Sequence, residues 1–195
     1  MTIQIADKND IQQITKIHYQ EINQGFLRQL GITFLAHLYR ALINSPNSFV
    51  VVAKKDKQAV GFISGCTNLN QFYRYFFTKY FFSICFSLLP KIFKISILKK
   101  IKETLKYKNT NKNNLSQAEL LSIAIAKKFQ GQGIAQILLA EFIKEMKKRK
   151  VNQFKVMVGE KLPRAIAFYE KMGFKFFSKK SIHQGQPSKI YIYDL

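Results

Sequence analysis

The stretch "AELLSIAIAKKFQGQGIAQILLAEFIKEMKKRK", Ala118 to Lys150, sets an apolar run, two glycines and a long periodic segment in immediate succession. Ile123 to Ala126 is apolar on both faces, as expected of a central strand covered by helices on either side. From about Gly133 through Lys148, apolar residues recur at Ile134, Ile137, Leu138, Phe142, Ile143 and Met146. That spacing gives a helix one stripe to lay on a sheet. Glycines between strand and helix remove the Cβ atoms that would hold a ligand away from the backbone. Free amides at a helix N-terminus then converge on one point, which suits a phosphate. From residue types alone, two readings stay open: a pyrophosphate cradle, or a tight turn that binds nothing. Neither GxGxxG nor GxxxxGK followed by Ser or Thr is present, so this is not a dinucleotide or P-loop fingerprint.

Working outward, the chain alternates strands and helices. "TIQI" (Thr2 to Ile5) is a short strand, and Asp10 is placed to cap a helix with Ile11, Ile14, Ile17 and His18 on one face. Gly25 to Ile43 continues as a second helical region broken at Gly31, and "SFVVVAKKD" and "QAVGFISG" form a hairpin around "KDKQ". Downstream of the opening stretch lie a strand "QFKVMVG", a helix "PRAIAFYEKMG", and strands "FKFFSK" and "KIYIYDL". There is no internal repeat. The order predicts an α/β fold with a mixed sheet, and a length of 195 residues predicts a single domain spanning 1–195.

Composition narrows the chemistry. The only cysteines, Cys66 and Cys85, lie far apart, and the three histidines, His18, His37 and His183, have no ligand-forming neighbour, so no metal is expected. The N-terminal "MTIQIADKNDIQQI" lacks the basic flank and apolar core of a secretory signal, which makes the cytoplasm the expected location. The net charge is +21, but no zinc-finger spacing and no basic region leading into heptads accompanies it. Nucleic acid is therefore not the expected partner.

A second motif, "LPRAIAFYEKMGF" (Leu162 to Phe174), completes the pattern. Together the two stretches resemble the GNAT superfamily of acyl-CoA-dependent N-acetyltransferases. Its first signature is Gln or Arg, two residues, Gly, one residue, then Gly or Ala; Gln130, Gly133 and Ala135 fill it. Its second is close to AIxFYEKxGF, filled by Ala165, Ile166, Phe168, Tyr169, Glu170, Lys171, Gly173 and Phe174. The resemblance is specific over Ala118 to Phe177; before that only the order of elements agrees, with Gly61 and Phe62 where the family has a similar pair.

The resemblance implies a mostly antiparallel mixed sheet, a central strand pair that splays apart, flanking helices, and acetyl-CoA as co-substrate. It casts the amides of Gly131, Gln132, Gly133, Ile134 and Ala135 as the pyrophosphate cradle, opened by Gln130. Ile123 and Ile125 become the strand residues whose backbone pairs with the pantetheine arm. Tyr169 matches the tyrosine that protonates the departing thiolate in many relatives. Two positions depart from the family: Leu162 stands where many relatives have a cofactor-contacting asparagine, and Met157 where those acting on protein N-termini have a glutamate that acts as base. Pro163 keeps the helix start, since its missing N–H falls among amides that lack helical partners anyway.

The implied reaction is direct attack of a neutral primary amine on the thioester, with the oxyanion held by a backbone amide near Ile125. Alignment of the reactants alone is worth ~7–11 kcal/mol. Glu119 is the first candidate for general base, because it precedes Ile123 and Ile125 on the same strand parity; Glu160 and Glu21 follow. The other reading of Glu119 is a charged residue at a strand edge.

Phe72 to Tyr107 is read as a helical aromatic and basic insertion at about 71–107. Its longest uncharged run, Tyr80 to Pro90, has 11 residues, short of the ~20 that span a bilayer. With Lys79, Lys91, Lys94, Lys99 and Lys100 around it, the segment packs on the domain, lines an acceptor groove, or lies on a membrane surface. The leading expectation is an N-acetyltransferase with an unidentified amine acceptor and an undetermined oligomeric state. The alternatives are a catalytically silent acyl-CoA-binding module and a basic membrane-surface adaptor.

Overall fold

The computed structural model describes residues 1–22, 26–88, 115–183 and 186–195. Their elements are β1 (Thr2–Ile5), α1 (Ile11–Glu21), α2 (Phe26–Leu30), α3 (Ile32–Asn44), β2 (Ser48–Lys55), β3 (Gln58–Cys66) and α4 (Leu69–Leu88). After these come β4 (Glu119–Ile125), α5 (Ile134–Lys148), β5 (Gln153–Gly159), α6 (Pro163–Lys171), β6 (Lys175–His183) and β7 (Gln186–Asp194). Among the described residues the sheet has seven strands in the order β1-β2-β3-β4-β5-β7-β6. The β4–β5 pair is parallel, while the other neighbours run antiparallel.

Alternation along each strand divides the core between two helical layers. Val50, Val52 and Phe62 face one layer, with Ile14 and Ile17 of α1, Leu35 and Leu38 of α3, and Phe72 and Phe76 of α4. Phe49, Val51, Phe154, Val156 and Val158 face the other, with Leu138, Leu139 and Phe142 of α5 and Tyr169 of α6. The apolar stripe read from the sequence on α1 is the face buried here; on α5, Ile134, Leu138, Phe142 and Met146 are buried as expected, but Ile137 is 43% exposed and Leu139 is buried instead.

The expected cap at Asp10 is a correction. Its carboxylate accepts from the Asp7 amide at 3.1 Å and pairs with Lys54 at 2.6 Å, and α1 has no side-chain cap. Asp7 instead caps the short turn that precedes the helix, and Asp10 is the other half of that capping box. The acidic pair serves the turn rather than the helix because the turn intervenes.

Helix α4 covers the first part of the expected insertion; residues 89–107 lie outside the described residues. Phe76 meets Phe34 of α3 edge-on, with ring centroids 5.9 Å apart, while Phe81 and Phe82 are exposed. No helix of the described residues is long and apolar enough to cross a membrane.

Candidate active site

The parallel β4–β5 ladder holds only at Glu119↔Lys155 and Leu120↔Val156. Beyond Leu120 the strands part, and the expected splayed pair is present. The cause is visible in the pairing of β4 with β3. Ser64 pairs with Ser122 and Gly65 with Leu120, so one step on β3 matches two on β4, and Leu121 is the extra residue of a bulge. Gly65 sits where no side chain fits: a Cβ there would lie 2.5 Å from Phe142 and 2.6 Å from the Glu119 carbonyl oxygen.

Below the bulge, the fully buried Tyr39 phenol meets the hydroxyls of Ser64 and Ser122 and lies 2.5 Å from His18 Nδ1. Burial lowers the His18 pKa to about 4, so the ring is neutral and adds no charge beneath the strand. This network ties α1 and α3 to the point where β4 leaves β5.

Past the bulge, backbone direction follows from one hydrogen bond. The Ala126 amide donates to Val60 of β3 at 2.9 Å. Strand groups alternate sides, so the N–H and C=O of Ile125 and Ile123 point away from β3 into the opening. The Ile125 carbonyl confirms that direction, accepting from Gln130 Nε2 at 2.9 Å. These are unladdered polar groups on an open strand edge, ready to pair with another extended chain.

The glycine tract lies at the mouth of this opening. Gly131 and Gly133 both have φ of 77°, the left-handed region in which a side chain is strained. A Cβ on Gly131 would meet nothing within 4 Å, so its surface is open. Gly133 precedes α5 with no side-chain cap, leaving the first-turn amides of Ile134 and Ala135 without intrahelical acceptors. Upstream of the tract Lys127 and Lys128 are exposed, with Lys128 Nζ 5.0 Å from the centroid of the Phe129 ring, and the tract from Gln130 to Gln132 is exposed too. The tract thus presents uncapped amides at the positive end of a helix, with two exposed lysines shortly before it in the chain, a chemistry suited to an anion.

Tyr169 is 4% exposed, on the same sheet face as Ile123 and Ile125, with its ring edge-on to Phe174 at 5.1 Å. Burial raises its phenol pKa well above the ordinary value, so it carries its proton throughout the working range.

The reason given for Glu119 does not hold. The bulge shifts parity at Leu121, which places Glu119 opposite Cys66 and turns it to the face away from Ile123 and Ile125. It lies instead where the opening closes, 6% exposed, with Oε2 3.7 Å from Lys155 Nζ and without a hydrogen-bond partner. Lys155 gives its own hydrogen bond to the Ser116 carbonyl at 2.6 Å. Burial pushes the Glu119 carboxyl up to about 7, outweighing the pull of Lys155. Lys155 was missed from sequence, although a lysine between Phe154 and Val156 in a buried strand was a signal of an inward ion pair.

Of the weaker base candidates, Glu160 is near Lys179, at 3.1 Å. Glu21 closes α1 and reaches the glycine loop, accepting from the Lys127 amide at 3.0 Å and from Gln130 Nε2 at 3.3 Å. Met157 and Leu162 occupy the positions where the sequence departs from the family, Met157 half-buried and Leu162 38% exposed at the start of α6. Among the described residues no group of three His, Cys, Asp or Glu is placed to hold a metal.

Comparison with known proteins adds to this geometry. The model of the acetyltransferase (GNAT) family matches residues 18–174. No curated protein matches the chain in sequence. Among solved structures, the ribosomal-protein-alanine N-acetyltransferase of Brucella melitensis superposes with a TM-score of 0.66 at 17% identity, covering 100% of both chains. The PaiA N-acetyltransferase of Thermoplasma acidophilum, solved with coenzyme A, gives 0.62 at 16% identity over 100% of both chains. The ribosomal-protein-S18-alanine N-acetyltransferase of Escherichia coli gives 0.62 at 16%, covering 99% of this chain and 92% of the other. At these identities the likeness is one of fold.

Proposed function

The chain belongs to the acetyltransferase (GNAT) family, and from that premise we propose that it transfers the acetyl group of acetyl-CoA to a primary amine by direct attack. The observation that carries this reading is the open edge of β4. Backbone groups of Ile123 and Ile125 that no neighbouring strand ladders, the Ile125 carbonyl capped only by the Gln130 side chain, lead from an amide cradle at Gly131 to Ala135 toward the closed end at Glu119. A pyrophosphate on the cradle sets the pantetheine arm along that edge as an added strand. The thioester then comes to rest toward the closed end, between Glu119 on one sheet face and Tyr169 on the other.

In the proposed reaction, Glu119 takes a proton from the ammonium, directly or through water. The amine nitrogen forms a bond to the thioester carbon, and an amide facing the opening, at Ile123 or Ile125, holds the oxyanion. The C–S bond breaks as the Tyr169 hydroxyl gives its proton to sulfur, and the proton that the nitrogen sheds on becoming an amide passes through water to restore the phenol, while Glu119 releases its own to solvent. The acceptor is an amine; a peptide N-terminus, a lysine side chain, an amino sugar and a small amine all fit that description.

Titration calorimetry with coenzyme A tests the cradle. The parent is expected to bind one equivalent. Gly133→Asp brings a like charge to the pyrophosphate and a side chain to a left-handed position, and should weaken binding on the order of a hundredfold. Gly133→Ala, which carries the strain without the charge, should lose far less. Equal affinity for the parent and a folded Asp variant would remove the pyrophosphate from this loop.

A further inference from the structure

Glu21 belongs to the helical layer of α1, α2 and α3, whereas the loop it grips leads into α5 on the opposite face of the sheet. One carboxylate oxygen accepts from the Lys127 amide at 3.0 Å and the other from Gln130 Nε2 at 3.3 Å. The same Gln130 nitrogen donates to the Ile125 carbonyl at 2.9 Å. On the other side of Glu21, Arg28 of α2 donates to the Tyr19 carbonyl at 3.0 Å and lies over the Tyr19 ring, 5.1 Å from its centroid. The last turn of α1 is therefore fastened to the glycine loop by Glu21 and to α2 by Arg28.

We propose that Glu21 is a positioning residue that transmits cofactor binding from the glycine loop to α1 and α2. This rests on the reading of the β4 edge as the pantetheine site. The Ile125 carbonyl is one of the groups an extended arm pairs with, and Gln130 already occupies it. When an amide of the arm takes that carbonyl, the Gln130 side chain loses one of its two acceptors and keeps the Glu21 carboxylate. The bond from loop to helix then shortens and carries a larger share of the load, since a charge-assisted bond is the stronger of the two. The last turn of α1 and the attached α2 are held more firmly once the cofactor is seated.

Hydrogen exchange read by mass spectrometry, with coenzyme A as the probe, tests the coupling. In the parent, coenzyme A should slow exchange both in residues 127–135 and in the last turn of α1, residues 17–22. In Glu21→Ala, residues 127–135 should still be slowed while the α1 turn no longer responds, and coenzyme A should bind about tenfold more weakly. Glu21→Gln keeps an oxygen for the Lys127 amide and should restore part of the α1 response. Melting without coenzyme A should change little in either variant, because both Glu21 bonds are exposed, which separates coupling from a structural role. Slowing of the α1 turn in Glu21→Ala equal to that in the parent overturns the proposal, as does a parent whose α1 turn ignores coenzyme A while residues 127–135 respond. A parent in which neither segment responds overturns the pantetheine site itself, and the coupling with it.

Discussion

Tyr169→Phe is expected to lower kcat by ~10²–10⁴ while leaving coenzyme A affinity nearly unchanged. The phenylalanine ring keeps the edge-on contact with Phe174 at 5.1 Å and the contact with Phe168 at 5.3 Å, so the fold should melt as before. What is lost is the hydroxyl proposed to protonate the leaving sulfur. A thiolate released beside a buried aromatic wall has little water to take a proton from, and the tyrosine holds its proton because burial disfavours the phenolate. Since the contribution arises as the C–S bond breaks, kcat and kcat/KM should fall together. Steady-state rates on any accepted amine decide the matter. Turnover equal to the parent's would make Tyr169 a packing residue and leave sulfur to be protonated by solvent.

Glu119→Gln should cost on the order of 10² or more in kcat/KM and, more tellingly, flatten its pH dependence. A base works only when deprotonated, and this carboxyl has been pushed up to about 7 by burial. The rate of the parent should therefore climb as pH rises through about 7 and level off above it, and the Gln variant should lack that rise. Stability carries the opposite sign. A folded-state pKa raised above the ordinary 4.5 means that ionisation opposes folding, so this group's contribution is present at low pH and lost as pH rises from about 4.5 through about 7. The parent should lose melting temperature relative to the Gln variant over that interval. A Gln variant with the parent's rate profile would take the base role away from Glu119.

The parts of this molecule written locally were legible in the sequence. The two glycines with φ of 77° and the helix that follows announce themselves by residue type and period, because both effects act within a few residues. The helix at Pro163 and the strand at Gln153 are equally local. Parity at Glu119 was not legible. Counting alternate residues assumes a regular strand, and the bulge at Leu121 shows only in the pairing with β3, where Gly65 leaves the room that Phe142 fills. The layer beneath was hidden for the same kind of reason. His18, Tyr39, Ser64 and Ser122 come from four separate elements, and only the packed sheet brings their polar atoms together. Glu21 reads as an ordinary last-turn glutamate until the fold sets it against Lys127, 106 positions away. Asp10 shows a subtler failure: the capping chemistry was right, but it was assigned to the helix rather than to the turn before it.

The most direct test of acetyl transfer is to follow acetyl-CoA labelled in its acetyl group with a panel containing a peptide N-terminus, a lysine peptide, an amino sugar and a polyamine. Free thiol and labelled product are measured together. At least one amine should raise thiol release well above the amine-free rate, and each thiol should be matched by one label in amide linkage to that amine. Thiol release no faster with any amine than without, in a protein that binds coenzyme A, would contradict acetyl transfer and leave a module that holds the cofactor without using it.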